Sequence, residues 1–349
     1  MSSTSIERYI RAMPKIELHV HLEATMRPET LFELAQQNGV VLPVMDQAGL
    51  KDWFKYTDFD HFVSIFGLIC QCLQTPDDFE RVVYEHGQTM AQQSIRYSEI
   101  TFTPASHVTE DLSWLALFDG ITAGRQRAQA DFGVEMQWIP DIARCFPETA
   151  EPVVEWVTAP EAQTGGVVAL GLGGPEVGWP PELFEEAFTA ARERGLHSNP
   201  HAGETVGPES VWGALRTLKA ERIGHGVRAV EDPALVAYLV EHQVPLEISP
   251  TSNLCLGVYQ SYAEHSLRQL VEAGVPVIFN TDDPQLFNAT LNDEYLHVVQ
   301  DCGLSLDQLE NSVLAGIRAS YLPEARKTEL LDEFWADFVR LRTEMELDG

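Results

Sequence analysis

A chain of 349 residues, 44% hydrophobic and 22% charged, can bury a large core and has the composition of an ordinary soluble globular protein. Lys and Arg number 23 against 53 Asp and Glu, a formal net charge of -30. That charge repels nucleic-acid phosphates and anionic membranes, so a neutral nucleoside or base fits better as a partner; the same acidity also suits solubility or a saline habitat, with no bearing on a site.

From the N-terminus, residues 1–11 are polar with no apolar signal core, and no later stretch is long and apolar enough to span a membrane, so neither export nor insertion is expected. Apolar strand-sized runs then alternate with helical stretches to the end of the chain. Strands are expected at 16–21, 95–103, 135–142, 167–173, 196–202, 222–227, 246–250 and 275–281. Extra helices at 28–38, 59–73 and 76–93 form an insertion after the first strand. Trp53, Phe54, Phe59, Phe62 and Phe66 of that insertion either wall a pocket or pack the insertion's own core, and core packing is expected for most of them. Amphipathic segments at 113–130, 181–194, 210–220, 233–241 and 264–273 separate later strands, and 305–320 and 324–347 read as terminal helices. Eight strands, each followed by a helix, predict an α/β fold: a parallel (β/α)8 TIM barrel in one domain, 1–349.

Five cysteines, Cys70, Cys72, Cys145, Cys255 and Cys302, form no framework spacing, which points to free thiols and a reducing cytoplasm. Cys70 and Cys72 fall in an expected helix with their side chains about 200° apart, so core packing is expected of both. The H-x-E plus P-C-x-x-C signature is missing, which excludes a cytidine-deaminase type of zinc site.

Five short motifs lie at the C-terminal ends of expected strands, the active-site face of such a barrel. His19 and His21 are two apart on a strand and point to one side, so both can reach one metal. His201 offers a third ligand, and Glu204 overhangs the pocket just past the strand end. His225 stands between Gly224 and Gly226, which leave room around it. Asp282 and Asp283 leave the eighth strand together, a costly arrangement unless a cation or bound partner compensates. Gly171-Leu172-Gly173-Gly174 ends the fourth strand, where small residues let a backbone N–H approach a flat ligand. Each motif has an ordinary structural explanation by itself: a half-buried strand, a surface turn, a core histidine, a helix cap at Asp283, a tight turn at the glycines. All five meeting at one barrel mouth by accident is the weaker reading. Three histidines and an aspartate with an open position make a catalytic zinc shell. None of the five lysines falls on the fourth strand, so a lysine-bridged metal pair is excluded and one Zn2+ per chain is expected.

At these residues the sequence resembles the adenosine deaminase family of the amidohydrolase superfamily. The resemblance runs over nearly the whole chain, through M-P-K-I-E-L-H-V-H-L-E, H-A-G-E, R-I-G-H-G, S-P-T-S-N and N-T-D-D-P. It implies a hydrolase acting on the C–N bond of a cyclic amidine, with a small-molecule purine as substrate. His19, His21, His201 and Asp282 match the zinc ligands. Glu204 matches the acid that protonates purine N1. His225 and Asp283 match the pair that orients and helps deprotonate the attacking water. Asp283 is also placed to meet N7, the Gly174 backbone to meet N3, and Glu23 stands where a carboxylate lies near the sugar. Glu23-Ala24 replaces the usual Asp-Gly, Gly174-Pro175-Glu176 the usual Gly-Asp-Glu, and Thr101 a frequent arginine. These departures touch the sugar's surroundings and leave the zinc shell intact. The resemblance therefore implies deamination of adenosine or a close adenine nucleoside. Adenine deaminase and 6-aminodeoxyfutalosine deaminase, acting in menaquinone biosynthesis on an adenine nucleoside with a bulky 5′ extension, are the alternatives. A catalytically silent purine-binding barrel is the alternative of another class, and the completeness of the ligand, acid and water-orienting set argues against it.

Overall fold

The computed structural model describes residues 3–347; the outermost residues of the domain expected over 1–349 lie outside the described residues. All eight expected strands form: β1 (Lys15–His21), β2 (Ile95–Phe102), β3 (Glu135–Ala143), β4 (Ala169–Gly173), β5 (His197–Ala202), β6 (Ile223–His225), β7 (Leu246–Ile248) and β8 (Val277–Phe279). They pair in parallel in sequence order. The His21 N–H donates to the Asp282 carbonyl at 2.8 Å and the Asp282 N–H to the His19 carbonyl at 3.2 Å, so β8 leads back to β1. The result is a nearly closed (β/α)8 barrel. Helices cover the outer face and side chains fill the inner one, so every residue of β1 is buried.

The last three strands are shorter than the apolar runs suggest. Gly226, at φ 68°, ends the run after β6, and Asp282, at φ 66°, leaves extended geometry soon after β8. In both places the chain turns where the site is built.

The insertion after β1 contains helices Pro28–Gln37, Gln47–Trp53, Phe59–Cys70 and Pro76–Gln92. Asp58 caps the third by accepting from the His61 N–H, and Thr75 with Asp78 forms a capping box on the fourth. The third helix stops at Cys70, so Cys72 lies beyond it and not on it as the periodicity predicts; both thiols are buried. The expected 210–220 helix divides into Pro208–Gly213 and a π-helical turn, Ala214–Leu218. Further helices, among them Ser3–Ala12, Ala150–Val157 and Leu291–Gln300, have no counterpart in the periodicity.

Helices Leu306–Ala319 and Glu324–Glu344 complete the fold. Tyr9 donates to the Glu310 carboxylate, and Arg342 Nε donates to the same group at 2.7 Å, which ties the first helix to the last two. One contiguous buried apolar cluster extends from Tyr9 to Leu347. No helix among the described residues is long and apolar enough to cross a membrane.

Candidate active site

A cavity of about 150 Å³ opens at the C-terminal ends of the strands. Its polar side holds His21, Asp141, His201, Glu204, Asp282 and Asp283. Its apolar side is supplied largely by Phe59, Phe62, Val63 and Phe66 of the insertion, with Phe146 at the mouth. The expectation that most insertion aromatics pack their own core is therefore corrected for Phe59, Phe62 and Phe66, which wall the cavity. Trp53 and Phe54 stack on each other away from it.

His19, His21, His201 and Asp282 come from β1, β5 and the end of β8, and their ligand atoms lie within 4.8 Å of one another. His21 Nε2 is 3.3 Å from His201 Nε2, and Asp282 Oδ1 is 3.3 Å from both His19 Nε2 and His21 Nε2. The surrounding hydrogen bonds set the tautomers. His201 Nδ1 donates to the Leu172 carbonyl and His19 Nδ1 to Glu247 Oε2, each at 2.9 Å, which turns both Nε2 lone pairs inward. Ser252 donates to Asp282 Oδ2 at 2.6 Å and leaves Oδ1 facing the histidines. Among the described residues His19 Nε2 has no hydrogen-bond partner although it is buried. Lone pairs gathered this closely repel one another unless a cation sits among them. The donor set, three imidazole nitrogens and one carboxylate oxygen, suits zinc.

Gly224 on β6 makes the cluster possible. A Cβ there would stand 2.8 Å from His19 Cε1 and 3.2 Å from the His201 Cα. The next residue, His225, sits in the left-handed region at φ 64°, an uncommon conformation for a non-glycine residue and a kind of local strain that gathers at functional sites. Its Nε2 lies 3.7 Å from Glu204 Oε2. Burial pushes the His225 imidazole down to about 4, so the ring is neutral. Burial, reinforced by the charges of Asp282, Glu176 and Asp283, holds the Glu204 carboxyl well above its usual range. Burial and the neighbouring Asp282 do the same to Asp283.

The turn carrying Glu204 is fixed by Glu176, whose carboxylate accepts the backbone N–H groups of Gly203, Glu204, Thr205 and Val206 and the Ser210 hydroxyl. Arg144 is buried beside it and donates to the His201 carbonyl at 2.6 Å. Gly174 lines the cavity at φ 87°.

Glu23 does not line the cavity. It is fully buried and its Oε1 accepts from the Thr103 N–H at 3.0 Å and from His107 Nε2 at 2.9 Å, behind the cavity-lining Cys70 and Thr103. His107 holds the Glu23 carboxyl below its usual range, against the opposing pull of burial.

The profile described as adenosine deaminase matches residues 14–336. The chain belongs to the adenosine deaminase family. Within this family it is 39% identical over 329 residues to an aminodeoxyfutalosine deaminase of Streptomyces coelicolor, covering 94% of this chain and 85% of that one. Its fold is similar to the crystal structure of an adenine deaminase from Arthrobacter aurescens, with a TM-score of 0.89, 32% identity, and coverage of 94% of this chain and 100% of the other. It is also similar to an amidohydrolase from Burkholderia ambifaria solved with bound Zn, with a TM-score of 0.91, 26% identity, and coverage of 100% and 96%. This adenosine deaminase family member is a hydrolase acting on C–N bonds of amidines.

Sequence reasoning missed Glu247, Ser252, Asp141 and Arg144 among the buried polar groups around the site. Glu247 and Asp141 interrupt apolar strand runs with a lone carboxylate, and that interruption was the available signal.

Proposed function

We propose that the protein hydrolyses the 6-amino group from an adenine nucleoside, with one zinc ion per chain, releasing ammonia and a 6-oxo purine. Among nucleosides the choice falls on 6-aminodeoxyfutalosine over adenosine. The convergence of three imidazole Nε2 atoms and Asp282 Oδ1 beside the buried Glu204 carries the reading. The Streptomyces relative and the wall of Phe59, Phe62, Val63 and Phe66, with Phe146 at its edge, support a substrate with a large extension beyond the purine.

In this reading His19, His21, His201 and Asp282 hold the zinc, and zinc when bound supplies Lewis-acid activation of water near neutral pH. The remaining steps belong to side chains. His225, neutral and close to Glu204, takes the proton of the attacking water and aims its oxygen at C6. Glu204 enters the reaction protonated and gives that proton to N1, so the ring accepts electron density as C6 becomes tetrahedral. Asp283, also protonated, donates a hydrogen bond to N7, and the Gly174 backbone meets N3. His225 then returns its proton to the amino group, the C6 hydroxyl gives its proton back to Glu204, and the tetrahedral carbon collapses to the 6-oxo purine as ammonia leaves.

Adenine itself is the second reading. The Arthrobacter structure supports it, and so does the retreat of Glu23 behind the wall, which removes a carboxylate from the expected sugar side. The deciding measurement is kcat/KM for adenine, adenosine, 2′-deoxyadenosine and 6-aminodeoxyfutalosine under identical conditions. Preference for 6-aminodeoxyfutalosine is expected. Adenine winning by orders of magnitude would replace the substrate and leave the reaction intact. A full complement of zinc with no turnover of any adenine compound would favour the silent binder.

A further inference from the structure

Asp141 takes no part in the reaction just described. It lies near the C-terminal end of β3, is 1% exposed and lines the cavity. The Thr103 side chain hydrogen-bonds its carboxylate, yet Oδ1 is buried without a partner among the described residues.

The neighbouring strand is shaped around this side chain. A Cβ at Gly173 would stand 2.3 Å from Asp141 Oδ2, and one at Gly171 would stand 2.9 Å from the Asp141 Cβ. The glycine run that ends β4 thus does more than bring backbone close to a ligand: it makes room for a carboxylate. Thr103 and Ser106, which follow β2, line the same cavity.

A buried carboxylate oxygen with no donor is costly, and a ligand that brings a donor recovers the loss. An adenine nucleoside carries two kinds of donor, its 6-amino group and its sugar hydroxyls. The reacting 6-amino edge must face the cluster from β1, β5 and β8, together with Glu204. Asp141 enters from β3, on an arc of the barrel that contributes no ligand to that cluster. A sugar hydroxyl is the donor left for it. In a substrate extended at the 5′ position the 2′- and 3′-hydroxyls remain.

We propose that Asp141 is a substrate-binding residue that accepts a hydrogen bond from the 2′- or 3′-hydroxyl of the nucleoside and so selects for an intact ribose. This inference rests on the nucleoside reading above.

The test compares three enzymes against three substrates. Adenosine, 2′-deoxyadenosine and 3′-deoxyadenosine are compared as kcat/KM for wild type and Asp141→Ala, with Asp141→Asn as a variant of the same volume. Wild type is expected to discriminate against one deoxy analogue by about tenfold to a hundredfold, the range of a hydrogen bond to a charged group. Asp141→Ala is expected to lose that discrimination, chiefly through KM for adenosine, and Asp141→Asn to retain part of it, with zinc content unchanged in both. Equal wild-type rates on all three nucleosides would overturn the proposal. So would variants that lose rate on all three by the same factor, or that lose zinc, since either result marks a structural role. Should wild type prefer adenine to every nucleoside, the parent reading has failed and the proposal falls with it; should it prefer nucleosides while Asp141→Ala still discriminates, the proposal alone has failed.

Discussion

Glu247 Oε2 accepts the Nδ1–H of His19 at 2.9 Å, while Glu247 Oε1 receives Arg222 Nε at 2.6 Å. Arg222 reaches Glu99 with its other arm at 2.5 Å, and no member of this chain is more than 2% exposed. His19 is thereby held in one tautomer and one orientation from behind. A ligand supported in this way binds metal more tightly than one free to turn, and loss of such support typically costs about 10- to 100-fold in metal affinity. Glu247→Gln keeps the volume and removes the charge. It is expected to weaken zinc binding by that factor in a chelator competition and to lower Tm, because the Arg222 guanidinium stays buried with one carboxylate fewer. Zinc affinity equal to wild type would show that His19 needs no such support.

Glu204 is not among the four clustered ligand groups, and its raised carboxyl suits proton delivery. Glu204→Gln preserves shape and removes the proton that we propose Glu204 gives to N1. Retained zinc with kcat reduced by about 10²- to 10⁴-fold is the expected result, the usual range for a lost general acid. The assignment fails if kcat stays near normal in a zinc-replete variant.

The two residues just discussed differ in how far the amino-acid order reveals them. Glu204 stands in H-A-G-E, at a strand end where catalytic groups gather, and the motif is visible in a few consecutive letters. Glu247 stands in L-E-I, and its partner His19 is 228 residues away. Only closure of the barrel brings them together; the local sign, a lone carboxylate breaking an apolar strand run, marks burial but names no partner. Asp141, in P-D-I, carries the same sign and the same ambiguity. The barrel itself was legible because strand and helix periods alternate along the chain on either side of the insertion after the first strand. Helix ends were less so: Gln71 caps the Phe59–Cys70 helix with neither glycine nor proline to announce it. Glu23 shows the limit of resemblance. Its position matches the family, but His107, 84 residues away in sequence, decides where its carboxylate turns.

Gly224→Ala adds one methyl group against His19 Cε1, 2.8 Å from the new carbon, and against the backbone of His201. Neither neighbour is the loose end of a flexible chain, because Glu247 fixes the first and Leu172, through the His201 ring, the second. The imidazoles must therefore move apart. Lower zinc occupancy and a loss of activity out of proportion to any change in Tm are expected. Full zinc occupancy with wild-type kcat would mean that the cluster yields more easily than its contacts suggest.

Glu294 gives a pH dependence that lies outside the site. It is fully buried; Thr251 reaches its carboxylate with its side chain and with its N–H, the latter at 3.2 Å from Oε2, while Oε1 finds no partner among the described residues. Burial pushes its carboxyl up from 4.5 to about 8. Between those values the folded protein holds a proton that the unfolded chain has released. Stability from this group is therefore complete below about 4.5 and declines as pH rises toward 8, by at most about 1.4 kcal/mol per pH unit. Glu294→Gln cannot ionise and escapes the decline. Denaturant unfolding at pH 6 and pH 9 should show the stability difference between variant and wild type moving in favour of the variant at the higher pH. A difference that does not change between the two pH values would mean that Glu294 is ionised in the folded protein throughout, with a cation or ordered water near Oε1 supplying the missing partner.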